Sequence, residues 1–311
     1  MFVLGIDAGG TKTVCLLADG DGVVRASARG PGANLQAAGE LEVEKVLYDV
    51  MEGALAGESA PPAAICLGIA GVDRPDDATV IRGIMRRIGQ KAHVLVVNDA
   101  LVALVAGAGD DPGIVLIAGT GSICYGRNAR GQAARSGGWG YILGDEGSGW
   151  WIGRQALTAV MRQADGRGPA TRLTPLVLEH FGAGAPQDLV HEVYYRDTRR
   201  RQVAALGPAV QVACDEGDPL ARQIVSEAAG ELVAAAGSVA SRLEMRGVAF
   251  PLVMAGGIFK VLPALRREVV RRVAEVAPRS QPALLENEPA AGAVRLALAE
   301  ARGGARVPSY L

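Results

Sequence analysis

Two short glycine turns, each placed between apolar runs, constrain the fold of this chain more than any other feature. The run Phe2–Asp7 ends in Ala8-Gly9-Gly10-Thr11, and Thr13–Ala18 is apolar again. The same pattern returns where Gly113–Ala118 ends in Gly119-Thr120-Gly121-Ser122 and another apolar run follows. Tight glycine turns between short apolar runs predict β-hairpins. We therefore expect two related halves, each opening with a three-stranded meander.

Helical and strand patterns alternate after each meander. Residues 40–56 place apolar side chains on one broad helical face, and Ile65–Ala70 and Val94–Val97 read as buried strands. Further segments with helical or strand patterns are Asp77–Ile88, a helix from Asp99 or Ala100, Gly149–Ala164, Ala170–Phe181, Pro219–Met245, Leu252–Ala255, Leu262–Ala277, Pro282–Leu285 and a helix after Glu288. Such alternation predicts an α/β fold with a duplicated βββαβαβα core.

The two halves suggest two lobes, with a boundary near Gly107–Pro112. We expect an N-terminal lobe over residues 1–110 and a C-terminal lobe over 111–287, which includes a helical insertion. The last helix, about 288–302, is expected to pack back on the first lobe. The tail Gly303–Leu311 is expected to be loose.

Composition excludes several classes of protein. The formal net charge is −1, so neither nucleic acid nor an anionic membrane is an expected partner. No apolar run is long enough for a transmembrane helix, and the N-terminus lacks the features of a signal peptide. The four cysteines are far apart and form no CxxC pair, so we expect buried, reduced thiols in a cytoplasmic protein.

The glycine turns are candidates for phosphate binding. Adjacent glycines let a backbone approach an anion closely, and Thr11 and Lys12 add a hydroxyl and a positive charge. Asp7, at the end of the first strand, could hold Mg²⁺ through water. For one turn alone, an ordinary glycine hairpin explains the pattern as well, and Lys12 could be merely solvated. Two such turns, at Gly9–Thr11 and Gly119–Gly121, favour a clamp on the β- and γ-phosphates of a nucleotide.

Asp99 is the candidate catalytic base. It follows the strand Val94–Val97, and side chains at the carboxyl ends of such strands face the ligand in open α/β sheets. Its carboxylate could accept a proton from a sugar hydroxyl. Asp99 could equally be the N-cap of the helix that begins at Ala100.

The most distinctive segment is 136–149, SGGWGYILGDEGSG. Its glycines permit unusual backbone angles, Trp139 offers a flat apolar face, and Asp145 and Glu146 offer acceptors for sugar hydroxyls. Asp145 is also expected to cap the helix that follows. The polar loop at Asn34 could reach the same ligand. In contrast, Arg199–Arg201 reads as a solvated basic face, and the three histidines have no metal-binding spacing.

Five stretches in this order resemble the N-acetylglucosamine kinase branch of the BadF/BadG/BcrA/BcrD ATPase family: MFVLGIDAGGTKT, VVNDALVAL, IAGTGS, GGWGYILGDEGSG and VMAGGIF. The resemblance spans residues 2 to about 300 and implies the two-lobed actin/hexokinase-like (ribonuclease H-like) ATPase fold. It implies ATP and Mg²⁺ as cofactors, a sugar as substrate and a homodimer.

The resemblance also implies roles for individual residues. It implies that the phosphate loops are Asp7–Thr13 and Gly119–Ser122, that Gly256 and Gly257 contact the nucleotide near its adenosine, and that Asp99 is the base. The positions that match the family's sugar-binding residues are Asn34, Ser122, Gly138, Trp139, Gly140 and Asp145. The implied reaction converts N-acetylglucosamine to its 6-phosphate.

Several alternatives stay open at this point. A glucosamine, N-acetylmuramic acid or broad hexose kinase would have the same fold. The ROK sugar kinases share the style of phosphate loop but usually carry a cysteine-rich zinc motif. An ATP-driven activator of a radical dehydratase would need cysteines at a shared surface for an iron–sulfur cluster. A non-catalytic sugar sensor would have no need of Asp99 as a base.

Overall fold

The structure is a computed structural model that describes residues 1–58, 60–72, 75–194 and 199–311. Strands and helices alternate along the chain as the sequence predicts. The strands are β1 Phe2–Ala8, β2 Lys12–Asp19, β3 Val24–Pro31, β4 Ala64–Ile69, β5 His93–Asn98, β6 Gly113–Ala118, β7 Ser122–Arg127, β8 Gln132–Gly137, β9 Phe250–Ala255, β10 Ser280–Leu284 and β11 Ser309–Tyr310. The helices are α1 Leu35–Ala38, α2 Glu40–Leu55, α3 Pro75–Arg87, α4 Asp99–Ala108, α5 Gly149–Ala164, α6 Leu173–Phe181, α7 Leu189–Tyr194, α8 Arg199–Ala204, α9 Gly207–Asp215, α10 Pro219–Arg242, α11 Ile258–Val261, α12 Pro263–Val276 and α13 Ala290–Ala301, with a short 3-10 helix at Pro186–Asp188.

The order of strands in the two sheets confirms the duplicated core. The first sheet runs β3-β2-β1-β4-β5, with β1–β3 antiparallel and β1, β4 and β5 parallel. The second runs β10-β9-β6-β7-β8-β11, so β6–β10 repeat the order of β1–β5. The sixth strand, β11, comes from the C-terminal tail and pairs parallel to β8. The tail is therefore not loose: Ser309 and Leu311 form backbone hydrogen bonds to the β7–β8 hairpin.

The chain divides into two compact units. The first unit contains Met1–Val115, Tyr125–Ala134 and Leu285–Leu311, and the second contains Leu116–Cys124 and Arg135–Leu284. In the first unit, apolar side chains of the sheet and of α2 and α3 form a continuous buried core. Helix α13 packs on β1 and α4 so closely that a Cβ at Gly292 would lie 2.0 Å from the carbonyl oxygen of Val102.

The second unit is built around the long helix α10, which packs against α12. Helix α5 packs against α8, where a Cβ at Gly153 would lie 2.0 Å from the carbonyl oxygen of Val203. The helix predicted over residues 262–277 is found as α12, which begins at Pro263 because Leu262 leaves helical geometry and separates it from the short helix α11. In the described part of the chain, no helix combines the length and apolar character needed to cross a membrane.

Candidate active site

The first glycine turn joins β1 to β2 and is tied to the loop that carries Asn34. The backbone N–H of Gly9 donates to Lys12 O at 3.0 Å, and that of Ala33 donates to Gly9 O at 3.1 Å. Gly32 packs directly on this turn, since a Cβ there would lie 2.4 Å from Gly10 O. At Gly10 itself a Cβ would meet nothing within 4 Å. The backbone at Gly10 is therefore open to the approach of a ligand.

Lys12 is not a merely solvated side chain. Its Nζ lies 2.7 Å from Glu288 Oε2, and Arg29 donates to the other oxygen of the same carboxylate at 2.9 Å. About half of the Lys12 side chain is exposed. Glu288, which immediately precedes the α13 region, thus holds two cations beside the first glycine turn.

Asp7 is a buried carboxylate with a strongly perturbed proton affinity. Its pKa is raised from 3.8 to about 7, mainly by burial and also by the negative charges of Asp99 and Glu288, which act against the opposing charge of Lys12. Two nearby carboxylates that repel each other form a place where a divalent cation would relieve the repulsion.

Asp99 is the first residue of α4, but it is not the helix cap. The side chain of Asn98 accepts a hydrogen bond from the backbone N–H of Ala100 at 2.8 Å and so caps the helix. The N-cap interpretation of Asp99 is wrong, because the chain is still extended at Asn98 and turns helical at Asp99. Asp99 stands at the carboxyl end of β5, in electrostatic contact with Asp7.

The pKa of Asp7 predicts how the stability of the protein changes with pH. The folded state binds this proton more tightly than the unfolded state, so the stabilisation is complete below pH 3.8 and is lost as pH rises to about 7. Each tenfold change in proton affinity corresponds to about 1.4 kcal/mol. We expect Asp7→Asn to be more stable than the wild type above pH 7 in metal-free buffer, with the difference shrinking toward pH 4.

Denaturant unfolding between pH 5 and 8 with EDTA measures this difference in stability, and Asp21→Asn in the exposed β2–β3 turn is the control. If the free energy of unfolding of Asp7→Asn and of the wild type changed with pH by the same amount, the expectation would be contradicted.

The second glycine turn joins β6 to β7 and is held by the start of α5. Gly119 N–H donates to Gly121 O at 2.9 Å, while Gly119 O accepts from Gly149 N–H at 2.8 Å. Trp150 N–H donates to Thr120 O at 3.3 Å. As at Gly10, a Cβ at Gly119 would meet nothing within 4 Å. Each hairpin therefore presents one open glycine.

The segment 137–149 lies against this second turn. Gly138, with φ at +75°, donates its N–H to Ser122 O at 3.0 Å, and a Cβ there would lie 2.7 Å from Ile123 Cδ1. Trp139 is 59% exposed and Arg135 covers its ring at 4.0 Å. Gly140 also has a positive φ, and its carbonyl oxygen accepts a hydrogen bond from the N–H of Gly144.

Asp145 is almost completely buried and has left-handed backbone geometry, with φ at +64°. Its Oδ1 accepts the backbone N–H of Ser122 at 3.0 Å, and the Ser122 hydroxyl donates to Glu146 O at 2.7 Å. The sequence predicted that Asp145 caps α5, and this prediction is wrong. Ser148 does so by accepting the N–H of Trp151 at 3.2 Å, and Asp145 lies three residues too early.

Arg200 is a candidate site residue that the sequence pattern does not reveal. Its Nη2 donates to Asp145 Oδ2 at 3.0 Å, and its guanidinium lies 4.6 Å from the ring centre of Tyr141. For this arginine the solvated-face interpretation of Arg199–Arg201 is wrong. A run of three arginines gives no signal of a partner that lies 55 residues away.

Gly256 and Gly257 follow β9 and differ in their surroundings. Gly256 has φ at +100°, and a Cβ there would lie 2.2 Å from Ala118 O, so the backbone packs against the end of β6. A Cβ at Gly257 would meet nothing within 4 Å, and this residue leads into α11.

The structure thus brings the predicted site residues together in two groups. In the first unit, Asp7, the first glycine turn, the Asn34 loop and Asp99 are connected. In the second unit, the second glycine turn, Gly138–Gly140 and Asp145 are connected through Ser122, and Gly256 packs against the end of β6. The four cysteines are buried, and burial raises the pKa of the Cys15 thiol to about 12. Such thiols are poorly placed to hold an iron–sulfur cluster between subunits.

Comparison with known proteins identifies relatives along nearly the whole chain. The sequence profile of the BadF/BadG/BcrA/BcrD ATPase family matches residues 4–297. An N-acetylmuramic acid/N-acetylglucosamine kinase of Clostridium acetobutylicum is 37% identical, with 96% of this chain and 99% of the relative covered. An N-acetyl-D-glucosamine kinase of Dictyostelium discoideum is 33% identical over 95% of this chain and 97% of the relative. The crystal structure of a proposed N-acetylglucosamine kinase from Chromobacterium violaceum superposes with a TM-score of 0.78 and 27% identity, covering 96% of this chain and 98% of the other. The actin/hexokinase-like α/β fold implied by the resemblance is confirmed.

Proposed function

The chain belongs to the BadF/BadG/BcrA/BcrD ATPase family, and from that membership we propose that it is an ATP-dependent kinase that phosphorylates the 6-hydroxyl of N-acetylglucosamine. The observation that carries the proposal is the position of Asp99. It stands at the carboxyl end of β5 while Asn98 supplies the helix cap, so a capping role does not account for it. The two relatives described above, at 37% and 33% identity, are named as kinases of N-acetylglucosamine.

In the proposed reaction Asp99 accepts the proton of the sugar 6-hydroxyl. A bond forms between that oxygen and the γ-phosphorus of ATP, the bond between the γ-phosphorus and the bridging oxygen breaks, and ADP leaves. Phosphoryl transfer of this kind depends mainly on positioning and charge stabilisation. Asp99 orients the attacking oxygen, a role worth about 10²–10⁴-fold in rate.

The donor set around Asp7 fits Mg²⁺. Burial, and after it the charge of Asp99, raises the pKa of Asp7, and a hard divalent cation would stabilise such a carboxylate in its charged form. We propose that Asp7 holds the ion through water. When bound, Mg²⁺ would neutralise phosphate charge.

We propose the nucleotide-binding residues because the backbone of three glycines is open to the approach of a ligand. Gly10, Gly119 and Gly257 each have free space where a Cβ would stand, which suits close contact with a ligand. Gly10 acts with Gly9, Thr11 and Lys12, and Gly119 acts with Thr120 and Gly121, on the phosphates. Gly256 and Gly257 are proposed to lie near the adenosine, where Gly256 supplies the positive φ.

The sugar-binding residues are proposed to be Asn34 and Asp99 in the first unit, with Ser122, Gly138, Trp139, Gly140 and Asp145 in the second. A carboxylate has about four acceptor positions, and two of those on Asp145 are used by Ser122 and Arg200. The remaining two suit sugar hydroxyls. Trp139 offers an exposed apolar ring to an apolar part of the sugar.

A coupled ADP-release assay tests the proposed function. We expect the highest kcat/KM with N-acetylglucosamine among N-acetylglucosamine, N-acetylmuramic acid, glucosamine and glucose. N-acetylmuramic acid is the second candidate substrate, because the relative with 37% identity is named for both sugars. ADP release at the same background rate with and without every sugar would overturn the proposal.

We further propose a cytoplasmic homodimer. Buried thiols are consistent with a reducing compartment, and two-fold dimers are the commonest oligomers. Light scattering at micromolar concentration measures the assembly, and a monomer mass would contradict it.

A further inference from the structure

Arg200 makes two contacts with the segment 137–149. Its Nη2 lies 3.0 Å from Asp145 Oδ2, and its guanidinium carbon lies 4.6 Å from the ring centre of Tyr141. Tyr141 in turn meets Trp150 edge-on, with ring centres 5.5 Å apart. One arginine on α8 is therefore in contact with both the acidic and the aromatic part of the proposed sugar-binding segment.

Asp145 is constrained from two sides. Oδ1 accepts the N–H of Ser122 from β7, and Oδ2 accepts from Arg200 on α8. The carboxylate of Asp145 fits beside Gly121 because this residue has no side chain: a Cβ there would lie 2.8 Å from both carboxylate oxygens. A charge-assisted hydrogen bond from an arginine is stronger and more directional than a neutral one. Loss of Arg200 would leave the carboxylate held at one oxygen only.

The charge of Asp145 also depends on Arg200. Burial raises the pKa of Asp145, and the neighbouring carboxylate of Glu146 on the same loop raises it further. The N–H of Ser122 and the guanidinium of Arg200 oppose this rise. Among the described residues whose charges act on Asp145, Arg200 is the cation.

The described residues leave one hydrogen-bond donor of Arg200 without a partner. Its Nε is buried and has no hydrogen-bond partner within the described ranges. A buried donor without a partner is costly, and such groups in folded proteins call for an explanation beyond stability. Its position beside Asp145 is explained if the arginine orients the carboxylate.

We propose that Arg200 is a positioning residue for sugar binding, which holds the carboxylate of Asp145 in the orientation that accepts hydrogen bonds from the sugar hydroxyls. The proposal rests on the proposed function, because it takes the sugar as the ligand of Asp145. It assigns a role to α8, which lies in the helical region where the sequence carries no motif.

Arg200→Met tests the proposal, with Arg200→Lys as the conservative variant and Arg201→Met as the control. Arg201 is an exposed arginine on the same helix. For Arg200→Met we expect KM for N-acetylglucosamine to rise about tenfold or more, because a charge-assisted contact is lost, while KM for ATP changes less than twofold. The acidic limb of kcat/KM for the sugar should move to higher pH, because Asp145 loses its cation.

Arg200→Lys should keep the acidic limb near that of the wild type, since the charge remains, and should give an intermediate KM. If Arg200→Met does not fold, Arg200→Lys tests the proposal instead: its KM for N-acetylglucosamine should be higher than that of the wild type, and its pH profile should be unchanged. Arg201→Met should match the wild type in both.

Sugar binding by calorimetry separates failure of this inference from failure of the proposed function. If the wild type turns over sugar and Arg200→Met keeps the same KM, sugar affinity and pH profile, the inference is wrong and Arg200 is only structural. If the wild type binds N-acetylglucosamine without phosphorylating it, the proposed function fails, while weaker binding by Arg200→Met still supports the inference. If the wild type neither binds nor phosphorylates any amino sugar, both are overturned.

Discussion

Asp99→Asn is expected to lower kcat by about 100-fold or more while changing KM for sugar and ATP little. The amide has nearly the shape of the carboxylate but cannot accept the proton of the attacking hydroxyl, so the loss falls on the transition state. A 100-fold loss corresponds to about 2.7 kcal/mol of barrier height. Steady-state kinetics with N-acetylglucosamine at saturating ATP measures it.

The matched control is Asp110→Asn. Asp110 is an exposed aspartate just beyond the opposite end of α4 and should retain wild-type kcat. Loss of an acidic residue in the first helical turn costs about 0.3–1 kcal/mol in stability, and relief of the repulsion between Asp99 and Asp7 offsets this cost, so the unfolding temperature of Asp99→Asn should change only slightly. Near-normal turnover by Asp99→Asn, or an equal loss in both variants, would remove Asp99 from its proposed role.

Of the substitutions proposed for this protein, Gly292→Ala is expected to cause the largest loss of stability. The added Cβ would stand 2.0 Å from Val102 O and 2.7 Å from Ala106 N, both backbone atoms of α4. Helix α13 would have to move away from α4 because backbone atoms cannot rotate aside. We expect a loss of about 3 kcal/mol in the free energy of unfolding, as for overpacked cores.

Gly83→Ala in α3 is the matched control with the opposite expected sign. Its Cβ would meet only the end of the Arg87 side chain, at 3.8 Å, and alanine favours the helix by about 0.5–1 kcal/mol. Both glycines lie in helices of the first unit. Denaturant unfolding measures both variants, and equal stability of the two would contradict the close packing of α13 on α4.

Local patterns in the sequence were enough to predict the architecture. Short apolar runs indicate strands, and apolar faces indicate helices. Both patterns are set by residues close together in the chain, so the strands β1–β10 and the long helices were predicted to within a few residues. The repeat of strand, glycine turn and strand predicted two related lobes with a duplicated core, and β6–β10 have the same order in their sheet as β1–β5 have in theirs. The strand β11 was missed because two residues of an exposed tail carry no periodicity.

The sequence by itself determined the fold, the family resemblance and the candidate residues, because each depends on local pattern or on ordered motifs. Tertiary structure decided which of two nearby polar residues caps a helix: Asn98 rather than Asp99, and Ser148 rather than Asp145. A cap requires a particular backbone angle at the junction, and composition does not specify that angle. Tertiary structure also decided the pairing of Arg200 with Asp145, since a contact between residues 55 positions apart exists only after α8 has packed beside the segment 137–149.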